Sequence, residues 1–547
     1  MAAKSCYDPI TGIYTSPRPP LSFPSDPDLS MISFLFRNVD LYPNRLALVD
    51  AESGRSFTFA ELRSTVSSFA VGLSRLGIEK GDVVLIFSPN SVLFPISFLS
   101  IVSLGAVATT VNPLYTVPEL SKQALDSRAK LVLTSPELVA KARALNLPIV
   151  LLSDKENASA SMPTFYDVIE RFGSAPAARI DPPRITQEDT AALLYSSGTT
   201  GTSKGVVLTH RNFISAAMML TADQDEEGDP PNTFLCFLPI FHVFGLSVVN
   251  FAQLRRGNTV VVMERFDMER MLAAIDRFAV SHLFVVPPVM VGLAKMGKVT
   301  KYNLDSLRWI CSGAAPVGGD VMEEVARAFD GVDVVQGYGL TETTSIISLE
   351  RCKEKGRKIG STGYLMAGIE AKVITVDTLQ PVPPRMNGEL LFRGPNMMQG
   401  YFNNPEATRL TLDDEGWLHT GDLGYFDEKG RLYVEDRIKE LIKCKGFQVA
   451  PAELEAVLIS HPQILDAAVV PMEDAEAGQV PIAFVVCPDS SLTETDVQKF
   501  VANEVAPYKR LRRVVFVNGI PKTASGKILR RELTQEAKTL AERRSKL

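Results

Sequence analysis

Residues 195–205 read Tyr-Ser-Ser-Gly-Thr-Thr-Gly-Thr-Ser-Lys-Gly and hold six serine or threonine hydroxyls, three glycines and one lysine. Glycines let backbone N–H groups approach an anion closely, hydroxyls donate further hydrogen bonds, and lysine supplies a mobile positive charge. The apolar residues 191–194 that precede this stretch are typical of a short buried strand. The sequence therefore predicts a phosphate-binding loop at the end of a strand, with a nucleotide as the first ligand to consider.

Three other interpretations of this stretch fit its residues less well. A P-loop requires glycine directly before the lysine and serine or threonine directly after it, whereas Ser203 and Gly205 flank Lys204. Residues 201–205 match the Gly-x-Ser-x-Gly elbow of hydrolases, but the flanking threonines and glycines have no role in that motif. An ordinary polar turn would contain the same residue types without needing so many hydroxyls.

The length and composition of the chain limit the classes of protein to which it can belong. Its 547 residues are too many for a single core and predict several folding units. A net charge of -6 and a pI near 5.7 argue against a general nucleic-acid binder. The six cysteines lie far apart in the sequence, so neither a disulfide framework nor a zinc site is predicted.

The longest uncharged stretch, residues 83–118, has two interpretations. Val83 to Phe87 and Ala106 to Thr110 are typical of buried strands, and Ser91 to Leu104 is typical of an apolar helix between them. A membrane-spanning helix is the alternative, because about 20 apolar residues can cross a bilayer. We favour the β-α-β unit, and a similar alternation at 259–286 predicts α/β architecture with parallel sheets.

Four further segments follow residues 195–205 in chain order. They are Gln336-Gly337-Tyr338-Gly339-Leu340-Thr341-Glu342, Trp417-Leu418-His419-Thr420-Gly421-Asp422, residues 436–448, and Pro521-Lys522-Thr523-Ala524-Ser525-Gly526-Lys527. Alone, each is a weak signal: the glycines at 337 and 339 lack the third glycine of a dinucleotide fingerprint, the aspartate at 422 fits an Asx turn, and the lysines within 436–448 fit a solvated face. Together, the five segments resemble the motifs of adenylate-forming enzymes, the superfamily of acyl-CoA synthetases, luciferases and peptide-synthetase adenylation domains.

The resemblance implies a site for ATP, AMP and Mg²⁺. In the pattern of this superfamily, Thr341 contacts phosphate, Glu342 binds magnesium, Asp422 holds the ribose hydroxyls and Lys527 is the catalytic lysine. The residues that the resemblance assigns to ATP or AMP are Ser196, Ser197, Gly198, Thr199, Thr200, Lys204, Gln336, Gly337, Thr341, Asp422, Arg437 and Gln448. The residues that it assigns to magnesium are Glu342 and Thr200.

The resemblance also implies a coenzyme A site and three further catalytic residues, Lys439, Lys443 and His242. The segment that begins at Lys443 is associated in this superfamily with thioester formation. The implied coenzyme A contacts are Lys445, Gly446 and Arg265. Basic residues within 509–531 would also suit such a polyanion, although a solvated surface explains most of them. On spacing alone, His242 fits a core histidine better than a catalytic one.

The sequence determines the substrate acid less well than the reaction. The chain resembles plant 4-coumarate:CoA ligase-like enzymes through residues 195–201 and 443–451, but it carries Phe244, Cys311 and Ile346 where coumarate ligases tend to have polar handles. This predicts a more apolar acid, because a ring hydroxyl would lose hydrogen-bonding partners. The implied acyl pocket consists of Phe244, Ser247, Gly313, Ala314, Tyr338 and Ile346. The candidate acids are fatty acids, cyclopentanone jasmonate precursors and cinnamate, and 4-coumarate also stays open.

The resemblance implies an α/β fold in two domains. Residues 1–437 are expected to form a large N-terminal domain of parallel-rich sheets with helices, plus a small barrel-like subdomain. Residues 438–547 are expected to form a mobile α+β C-terminal domain, with a hinge near 436–440 and a helix that begins at Pro451. Because Lys527 serves adenylation and the segment from Lys443 serves thioester formation in this superfamily, the smaller domain is expected to rotate between half-reactions.

The expected activity is that of a carboxylate-CoA ligase. Such an enzyme forms an acyl-adenylate and pyrophosphate from ATP, and then an acyl-CoA thioester and AMP. A luciferase-like adenylating oxygenase would share every motif and stays open as an alternative. A non-catalytic binding relative would lack a motif residue, whereas Lys527, Glu342, Asp422 and Arg437 are all present.

The two ends of the sequence predict where the enzyme acts. Ser545-Lys546-Leu547 is the tripeptide that a peroxisomal import receptor reads at a free C-terminus. The first residues have no apolar segment after Lys4 and do not fit a secretory signal. We therefore expect a peroxisomal enzyme without a membrane span, with a small carboxylic acid, ATP and coenzyme A as its partners and no nucleic acid.

Overall fold

The fold is that of a computed structural model of the chain. The residues that it describes are 6–153, 162–173, 183–196, 203–297, 299–351, 358–444, 447–474, 476–488, 492–523 and 526–545. Within these ranges, the side chains of Gln448 and of residues 541–545 are not described. The predicted site residues that lie outside the described ranges are Ser197, Gly198, Thr199, Thr200, Lys445 and Gly446.

The strands alternate with helices along most of the chain. In chain order they are β1 (Tyr7–Asp8), β2 (Ile13–Thr15), β3 (Leu46–Asp50), β4 (Ser56–Thr58), β5 (Val83–Phe87), β6 (Val107–Thr110), β7 (Ala129–Thr134), β8 (Ile149–Leu151), β9 (Thr190–Ser196), β10 (Lys204–Thr209), β11 (Thr233–Cys236), β12 (Thr259–Val262), β13 (His282–Val285), β14 (Trp309–Ser312), β15 (Asp333–Gly339), β16 (Ile346–Leu349), β17 (Gly363–Leu365), β18 (Glu370–Ile374), β19 (Gly388–Arg393), β20 (Gly400–Tyr401), β21 (Leu418–Phe426), β22 (Arg431–Arg437), β23 (Ile442–Cys444), β24 (Phe447–Val449), β25 (Asp466–Asp474), β26 (Gly478–Val486) and β27 (Arg513–Phe516).

The helices include two π-helical segments, Ile169–Gly173 and Phe244–Phe251. The α-helices are α1 (Met31–Phe36), α2 (Phe59–Arg75), α3 (Leu93–Ser103), α4 (Val117–Ser127), α5 (Val139–Ala142), α6 (Phe165–Val168), α7 (His210–Glu226), α8 (Ala252–Arg256), α9 (Met268–Phe278), α10 (Pro287–Met296), α11 (Gly319–Ala328), α12 (Pro405–Thr411), α13 (Pro451–Ile459), α14 (Glu494–Glu504) and α15 (Arg530–Ser545). The 3-10 turns are Val39–Leu41, Pro136–Leu138, Arg143–Leu145, Thr341–Thr343, Ile438–Glu440 and Pro507–Lys509.

A seven-stranded sheet contains the predicted β-α-β unit. Its order is β20-β10-β9-β6-β5-β7-β8, and the strands from β9 to β8 in this order are parallel. Helix α3 connects β5 to β6 and is buried over nearly its whole length, which explains why it is apolar on every side. The β-α-β prediction is therefore confirmed. Among the described residues, no helix is long and apolar enough to cross a membrane.

A second sheet of fifteen strands has a parallel part and an antiparallel part. Strands β3, β12, β11, β13, β14 and β15 are neighbours in parallel. From β15 onward the order β16-β17-β22-β21-β19-β18-β2-β1 is antiparallel. The barrel-like part of the prediction corresponds to this antiparallel half, which continues the larger sheet. One apolar core that extends from Tyr14 to Leu432 packs both large sheets and their helices together.

The C-terminal residues form a third sheet with its own apolar cores. Its order is β24-β23-β26-β25, and β27 pairs in parallel with β26. One core contains Leu454 of α13, Val469 of β25 and Val497 of α14, and a second contains Phe484 of β26 and Leu533 of α15. Mixed strands and helices agree with the predicted α+β class. The domain boundary at 437/438 stays a prediction.

The start of α7, directly after β10, is fixed by hydrogen bonds between Thr209 and Asn212. Thr209 caps α7, because its hydroxyl accepts the N–H of Asn212 and the Asn212 side chain accepts the N–H of Thr209. The Asn212 amide also donates to the carbonyl oxygen of Met397 at 2.8 Å. The N–H of Met398 then donates to the carbonyl oxygen of Glu342 at 2.8 Å. Helix capping at α7 thus also orders the backbone around Glu342.

Candidate active site

A cavity of about 430 Å³ opens at the carboxyl ends of parallel strands from both large sheets. Thr110 of β6 and Ser196 of β9 line it from the seven-stranded sheet, and Gly313, directly after β14, and Gly339 of β15 line it from the fifteen-stranded sheet. Open α/β sheets bind ligands at this edge. The predicted site residues that line the cavity are Ser196, Lys204, His242, Phe244, Gly313, Ala314, Gly337, Thr341, Glu342, Ile346, Arg437, Lys439 and Lys527. Residues far apart in the sequence therefore meet at one place.

A larger cavity of about 1050 Å³ adjoins the first and shares Gly337, Arg437 and Lys527 with it. Its walls include Gln336 and Asp422, which were both predicted to contact the nucleotide. The Gln336 side chain accepts the N–H of Val317 at 2.9 Å, so it fixes the backbone of the cavity wall rather than pointing freely into the space.

The predicted phosphate loop connects the two strands of an antiparallel hairpin. Ser196 at the end of β9 lies opposite Lys204 at the start of β10, and both line the smaller cavity. The four loop residues predicted to contact phosphate, at 197–200, lie outside the described residues. Ser196 and Lys204 line the same cavity as Thr341 and Glu342.

Glu342 is held by hydrogen bonds to its carboxylate. Its Oε1 accepts from the hydroxyl of Ser196 at 2.9 Å and from the hydroxyl of Tyr401 at 2.9 Å. The ammonium of Lys204 lies 4.8 Å from the centre of the Tyr401 ring, a cation–π contact. Sequence reasoning missed Tyr401, which reaches Glu342 because β20 pairs with β10.

The Glu342 carboxylate suits a magnesium ion that substrate phosphates also bind. Among the described residues, no group of three His, Cys, Asp or Glu side chains could hold a metal by itself. Mg²⁺ is commonly bound by one or two carboxylates together with substrate phosphates and water. Glu342, with its second oxygen outside the hydrogen bonds described above, suits that mode. Thr200, the other predicted ligand, lies outside the described residues.

Asp422 and Arg437 form an ion pair at the junction of the two cavities, with the carboxylate buried and the guanidinium half-buried. They lie opposite each other in β21 and β22, with 3.3 Å between Arg437 Nε and Asp422 Oδ1. The hydroxyl of Tyr338 donates to Asp422 Oδ2 at 2.5 Å. Burial raises the pKa of Asp422, and the Arg437 guanidinium opposes that rise. The pair presents a fixed carboxylate suited to accept hydrogen bonds from ribose hydroxyls.

Lys527 enters the cavity on a tight turn from the C-terminal sheet region. The N–H of Thr523 donates to the carbonyl of Lys527 at 2.7 Å, and the N–H of Lys527 donates to the hydroxyl of Thr523 at 3.0 Å. Gly526 supports this turn with φ of +82°. Burial lowers the pKa of Lys527 and Arg437 lowers it further, whereas carboxylates that include Glu342 oppose the shift. Lys527 is therefore a half-buried cation among several fixed charges.

His242 lies in the cavity wall in its neutral form. Burial lowers its pKa to about 4, and the Lys527 ammonium adds to the effect. The ring Nδ1 accepts the N–H of Phe244 at 3.2 Å, so the ring proton of the neutral form resides on Nε2. His242 is thus a neutral donor near Lys527 rather than a cation.

An apolar recess forms the other end of the cavity. A Cβ on Gly313 would lie 3.0 Å from the Phe244 ring, and a Cβ on Gly337 would lie 3.4 Å from Ile346 and 3.5 Å from the Cys311 sulfur. These glycines leave the room that side chains would fill. Four of the predicted acyl-pocket residues, Phe244, Gly313, Ala314 and Ile346, line this cavity.

Two of the predicted acyl-pocket residues, Ser247 and Tyr338, do not line the smaller cavity, and their role in the acyl pocket stays a prediction. Val248 lines it in place of Ser247, which is buried. The segment from Phe244 is π-helical, and in a helix with i to i+5 hydrogen bonds the fourth residue after Phe244 faces its side better than the third. Tyr338 lies in the larger cavity instead, because successive side chains of β15 point to opposite faces.

The residues predicted for thioester formation are placed differently from Lys527. Lys439 lines the smaller cavity, whereas Lys443 is exposed on β23 and lines neither cavity. The side chain of Arg265 is 79% exposed and pairs with Glu264, so its role stays a prediction. Lys445, Gly446 and the side chain of Gln448 lie outside the described residues.

His419 and Glu389 also line the smaller cavity and were not assigned a role from the sequence. His419 Nδ1 lies 3.4 Å from Glu389 Oε2, and this contact raises the pKa of His419. The other Glu389 oxygen, Oε1, accepts the N–H of Gly421 at 3.1 Å. The pair braces the backbone next to Asp422. His419 belongs to the motif at 417–422, but only the pairing of β19 with β21 shows that Glu389 is its partner.

Residues 35–402, more than half of the chain, match the family model of the AMP-binding enzyme, and residues 453–527 match that of the AMP-binding enzyme C-terminal domain. The chain belongs to the AMP-binding enzyme family.

Two plant relatives of this AMP-binding enzyme share nearly their whole length with it. The probable CoA ligase CCL5 of Humulus lupulus is 44% identical over 541 residues, covering 98% of this chain and 97% of the relative. The peroxisomal OPC-8:0-CoA ligase 1 of Arabidopsis thaliana is 44% identical over 529 residues, covering 96% of each chain. Both relatives are named as CoA ligases.

Solved structures of adenylate-forming ligases share the fold of this AMP-binding enzyme. ATP-bound MatB from Rhodopseudomonas palustris has a TM-score of 0.84 at 28% identity, covering 93% of this chain and 99% of MatB. The o-succinylbenzoate CoA synthetase MenE from Bacillus subtilis, in complex with ATP and magnesium, has a TM-score of 0.79 at 30% identity, covering 92% of this chain and 99% of MenE. The predicted fold class is therefore confirmed, and both neighbours contain ATP.

Proposed function

We propose that this AMP-binding enzyme is an ATP-dependent carboxylate-CoA ligase. The observation that carries the proposal is the single cavity in which Lys527, Glu342 and Arg437 lie at one end and an apolar recess lies at the other. A charged end suits ATP, and an apolar end suits the body of an organic acid. The names of the two plant relatives support the same reaction.

The first half-reaction is the adenylation of the acid. A carboxylate oxygen attacks the α-phosphorus of ATP, and the bond from that phosphorus to the β-phosphate oxygen breaks, so pyrophosphate leaves with the electron pair. Negative charge gathers on the non-bridging oxygens in the transition state, and the Lys527 ammonium is the countercharge from this chain. Asp422 holds the ribose hydroxyls, because Arg437 and Tyr338 fix both of its oxygens.

Glu342 would hold Mg²⁺ together with phosphate oxygens of ATP. When bound, the ion supplies charge neutralisation at the phosphates. Ser196 and Tyr401 orient the Glu342 carboxylate by donating to the same oxygen. Glu342 therefore does not need to reorganise before ATP binds.

The second half-reaction transfers the acyl group to coenzyme A. The thiol sulfur attacks the acyl carbon, the bond from that carbon to the phosphate oxygen breaks, and AMP leaves as the thiol proton is released. We place the neutral His242 along the thiol path, where its Nε2–H can donate without adding charge. We also keep Lys443, Lys445, Gly446 and Arg265 as coenzyme A or thioester residues, with Lys439 at the cavity edge.

Exchange between the half-reactions requires the C-terminal region to move. Lys527 lies in the cavity while Lys443 lies outside both cavities, which supports the proposal that this arrangement serves adenylation. We propose a hinge at 436–440, where β22 ends and a 3-10 turn begins. Rotation there would remove Lys527 and bring the Lys443 segment to the cavity.

The recess favours an apolar acid over a phenolic one. Phe244, Ile346 and the Cys311 sulfur surround the space left by Gly313 and Gly337, and none of these side chains is a strong hydrogen-bonding partner for a ring hydroxyl. We propose a medium- or long-chain fatty acid, a cyclopentanone octanoate or cinnamate as the substrate class. An acid of the kind named for the OPC-8:0-CoA ligase relative falls within this proposal.

We also propose that the enzyme acts in peroxisomes. The support is the tripeptide Ser545-Lys546-Leu547 and the word peroxisomal in the name of one relative. The import receptor reads this tripeptide only at a free C-terminus. A fluorescent protein fused before residue 1 should enter peroxisomes, and removal of the tripeptide should leave the fusion in the cytosol.

The experiment that tests the activity measures pyrophosphate release from ATP and Mg²⁺ across a panel of acids, with and without coenzyme A. The panel contains 4-coumarate, cinnamate, medium- and long-chain fatty acids and a cyclopentanone octanoate. Acid-dependent pyrophosphate release followed by acyl-CoA formation is the expected result. If none of the acids in the panel caused pyrophosphate release, the proposal would be contradicted. Light emission with luciferin, ATP and oxygen would indicate the oxygenase alternative.

A further inference from the structure

Helix α10 of the large region contacts the loop that carries Lys527 at the helix N-terminal end. A Cβ added to Gly526 would lie 3.3 Å from Val286, and 3.7 Å from Pro288 in the first turn of α10. Gly526 therefore allows the loop to pack closely against this end of the helix. This contact lies directly beside Lys527 in the sequence.

The other end of α10 makes a second contact with the C-terminal region. The ammonium of Lys295 donates to the carbonyl oxygen of Ile464 at 2.6 Å. The Ile464 side chain is fully buried in the C-terminal core, so this carbonyl belongs to a rigid part of that region. Val289, Met290 and Leu293 anchor α10 itself in the main core.

The position of the Ile464 carbonyl is coupled to the Lys527 loop. Asp466, two residues further on, forms an ion pair of 2.6 Å with Lys522 at the base of the loop. Lys522 in turn forms a β-bridge with Ile528, which closes the loop on the other side of Lys527. The segment 464–466, which Lys295 contacts through Ile464, thus also binds the base of the Lys527 loop through Asp466.

We propose that α10 docks the C-terminal region at two points, the Lys527 loop and the Ile464 carbonyl, and that Lys295 is a positioning residue for adenylation. The proposal rests on the ligase activity and the domain rotation proposed above. Val286 and Lys295 are nine residues apart, so the two contacts are separated by about 13 Å along the helix. Two contacts separated along α10 add to the packing of α13 on the large region, where Ile459 lies against the main core, and together they restrict how the C-terminal region can pivot. Lys295 therefore favours the arrangement in which Lys527 reaches the cavity.

The first test compares the two half-reactions in the full-length Lys295→Met variant. We expect acyl-AMP formation, measured by ATP–pyrophosphate exchange, to fall about five-fold, because a partly exposed charge-assisted hydrogen bond is lost. Coenzyme A transfer from supplied acyl-AMP should keep at least its wild-type rate, because that step does not need the docked arrangement. Lys295→Arg should restore part of the exchange rate. Lys301→Met is the matched control, since Lys301 lies just beyond α10 and pairs with Glu269.

An equal loss in both half-reactions, or no loss in either, would overturn the role of Lys295. A second measurement does not depend on activity: amide hydrogen exchange of peptides that cover 464–466 and 526–530. We expect faster exchange in Lys295→Met than in the wild type and in Lys301→Met. Unchanged exchange would contradict docking through Lys295. If no acid supports pyrophosphate exchange in the wild type, the proposed function fails while hydrogen exchange still decides the docking.

Discussion

Glu342 and Lys527 lie in the same cavity but are held there in different ways. Glu342 is fixed by Ser196 and Tyr401, which belong to the same large region. Lys527 stands on a turn whose hydrogen bonds lie within 522–528, and it reaches the cavity only because the C-terminal region is docked against the large one. Glu342 is thus held within the large region, whereas the position of Lys527 depends on how the C-terminal region is oriented.

The largest expected effect comes from removing Lys527, which the C-terminal region contributes to the site. Lys527→Ala should lower the rate of acyl-AMP formation by about a hundred-fold or more, because the transition state loses a countercharge. Transfer of a supplied acyl-AMP to coenzyme A should stay largely intact. Pyrophosphate exchange and thioester formation measure the two steps separately. Lys538→Ala, at an exposed position of α15, is the control, and equal loss of both steps would refute the division of the site.

A smaller effect is expected from weakening the hydrogen bonds that hold Glu342. Tyr401→Phe removes one of two hydrogen bonds to Glu342 Oε1 and keeps the ring that faces Lys204. We expect adenylation to slow by about ten-fold, the cost of one hydrogen bond to a charged group, with a higher magnesium concentration needed for half-maximal rate. A magnesium titration of pyrophosphate exchange measures this change.

The control for Tyr401→Phe is Tyr425→Phe, which keeps the stacked ring pair with Tyr433 away from Glu342. This control should match the wild type in both rate and magnesium dependence. If Tyr401→Phe lowered the rate without altering the magnesium dependence, its hydroxyl would not act through Glu342.

The pH dependence of adenylation sharpens the same contrast. Burial lowers the pKa of Lys527, so its charge should be lost on the alkaline side before that of a free lysine. As pH rises through this lowered pKa, kcat/KM for ATP should fall, because the free enzyme loses the countercharge. In Lys527→Arg the guanidinium stays charged, so the rate should be lower but without that alkaline fall. An alkaline fall unchanged in Lys527→Arg would assign it to another group.

The smallest effect on adenylation is expected at Lys443. This residue is exposed and lines neither cavity, so Lys443→Ala should change pyrophosphate exchange by less than about two-fold, as for other surface substitutions. Thioester formation from supplied acyl-AMP should slow instead, if rotation brings this segment to the acyl group. A loss confined to adenylation would reverse the proposed order of the two lysines.

Some elements were predictable because their signals are local. The strands at Val83–Phe87 and Val107–Thr110, with the buried helix between them, followed from continuous apolar runs broken by turn residues. The start of α13 at Pro451 followed from the preference of proline for the first turn of a helix. These features need only the few residues around them.

Other features depended on contacts between distant segments. The π-helical turn that places Val248 rather than Ser247 at the cavity has no clear signal in its apolar sequence. Tyr401 reaches Glu342 only because a two-residue strand pairs with β10. Such pairings are chosen by the packing of the whole core, which a local pattern does not encode.

The sequence by itself determined which chemical groups the enzyme carries and their order along the chain, because motif residues such as Glu342, Asp422 and Lys527 stand in recognisable local patterns. Only the tertiary structure decided which groups share one cavity, which stay outside it and which residues hold them. The physical reason is that side-chain position depends on strand register and domain docking. Both are set by interactions between residues that lie more than a hundred positions apart.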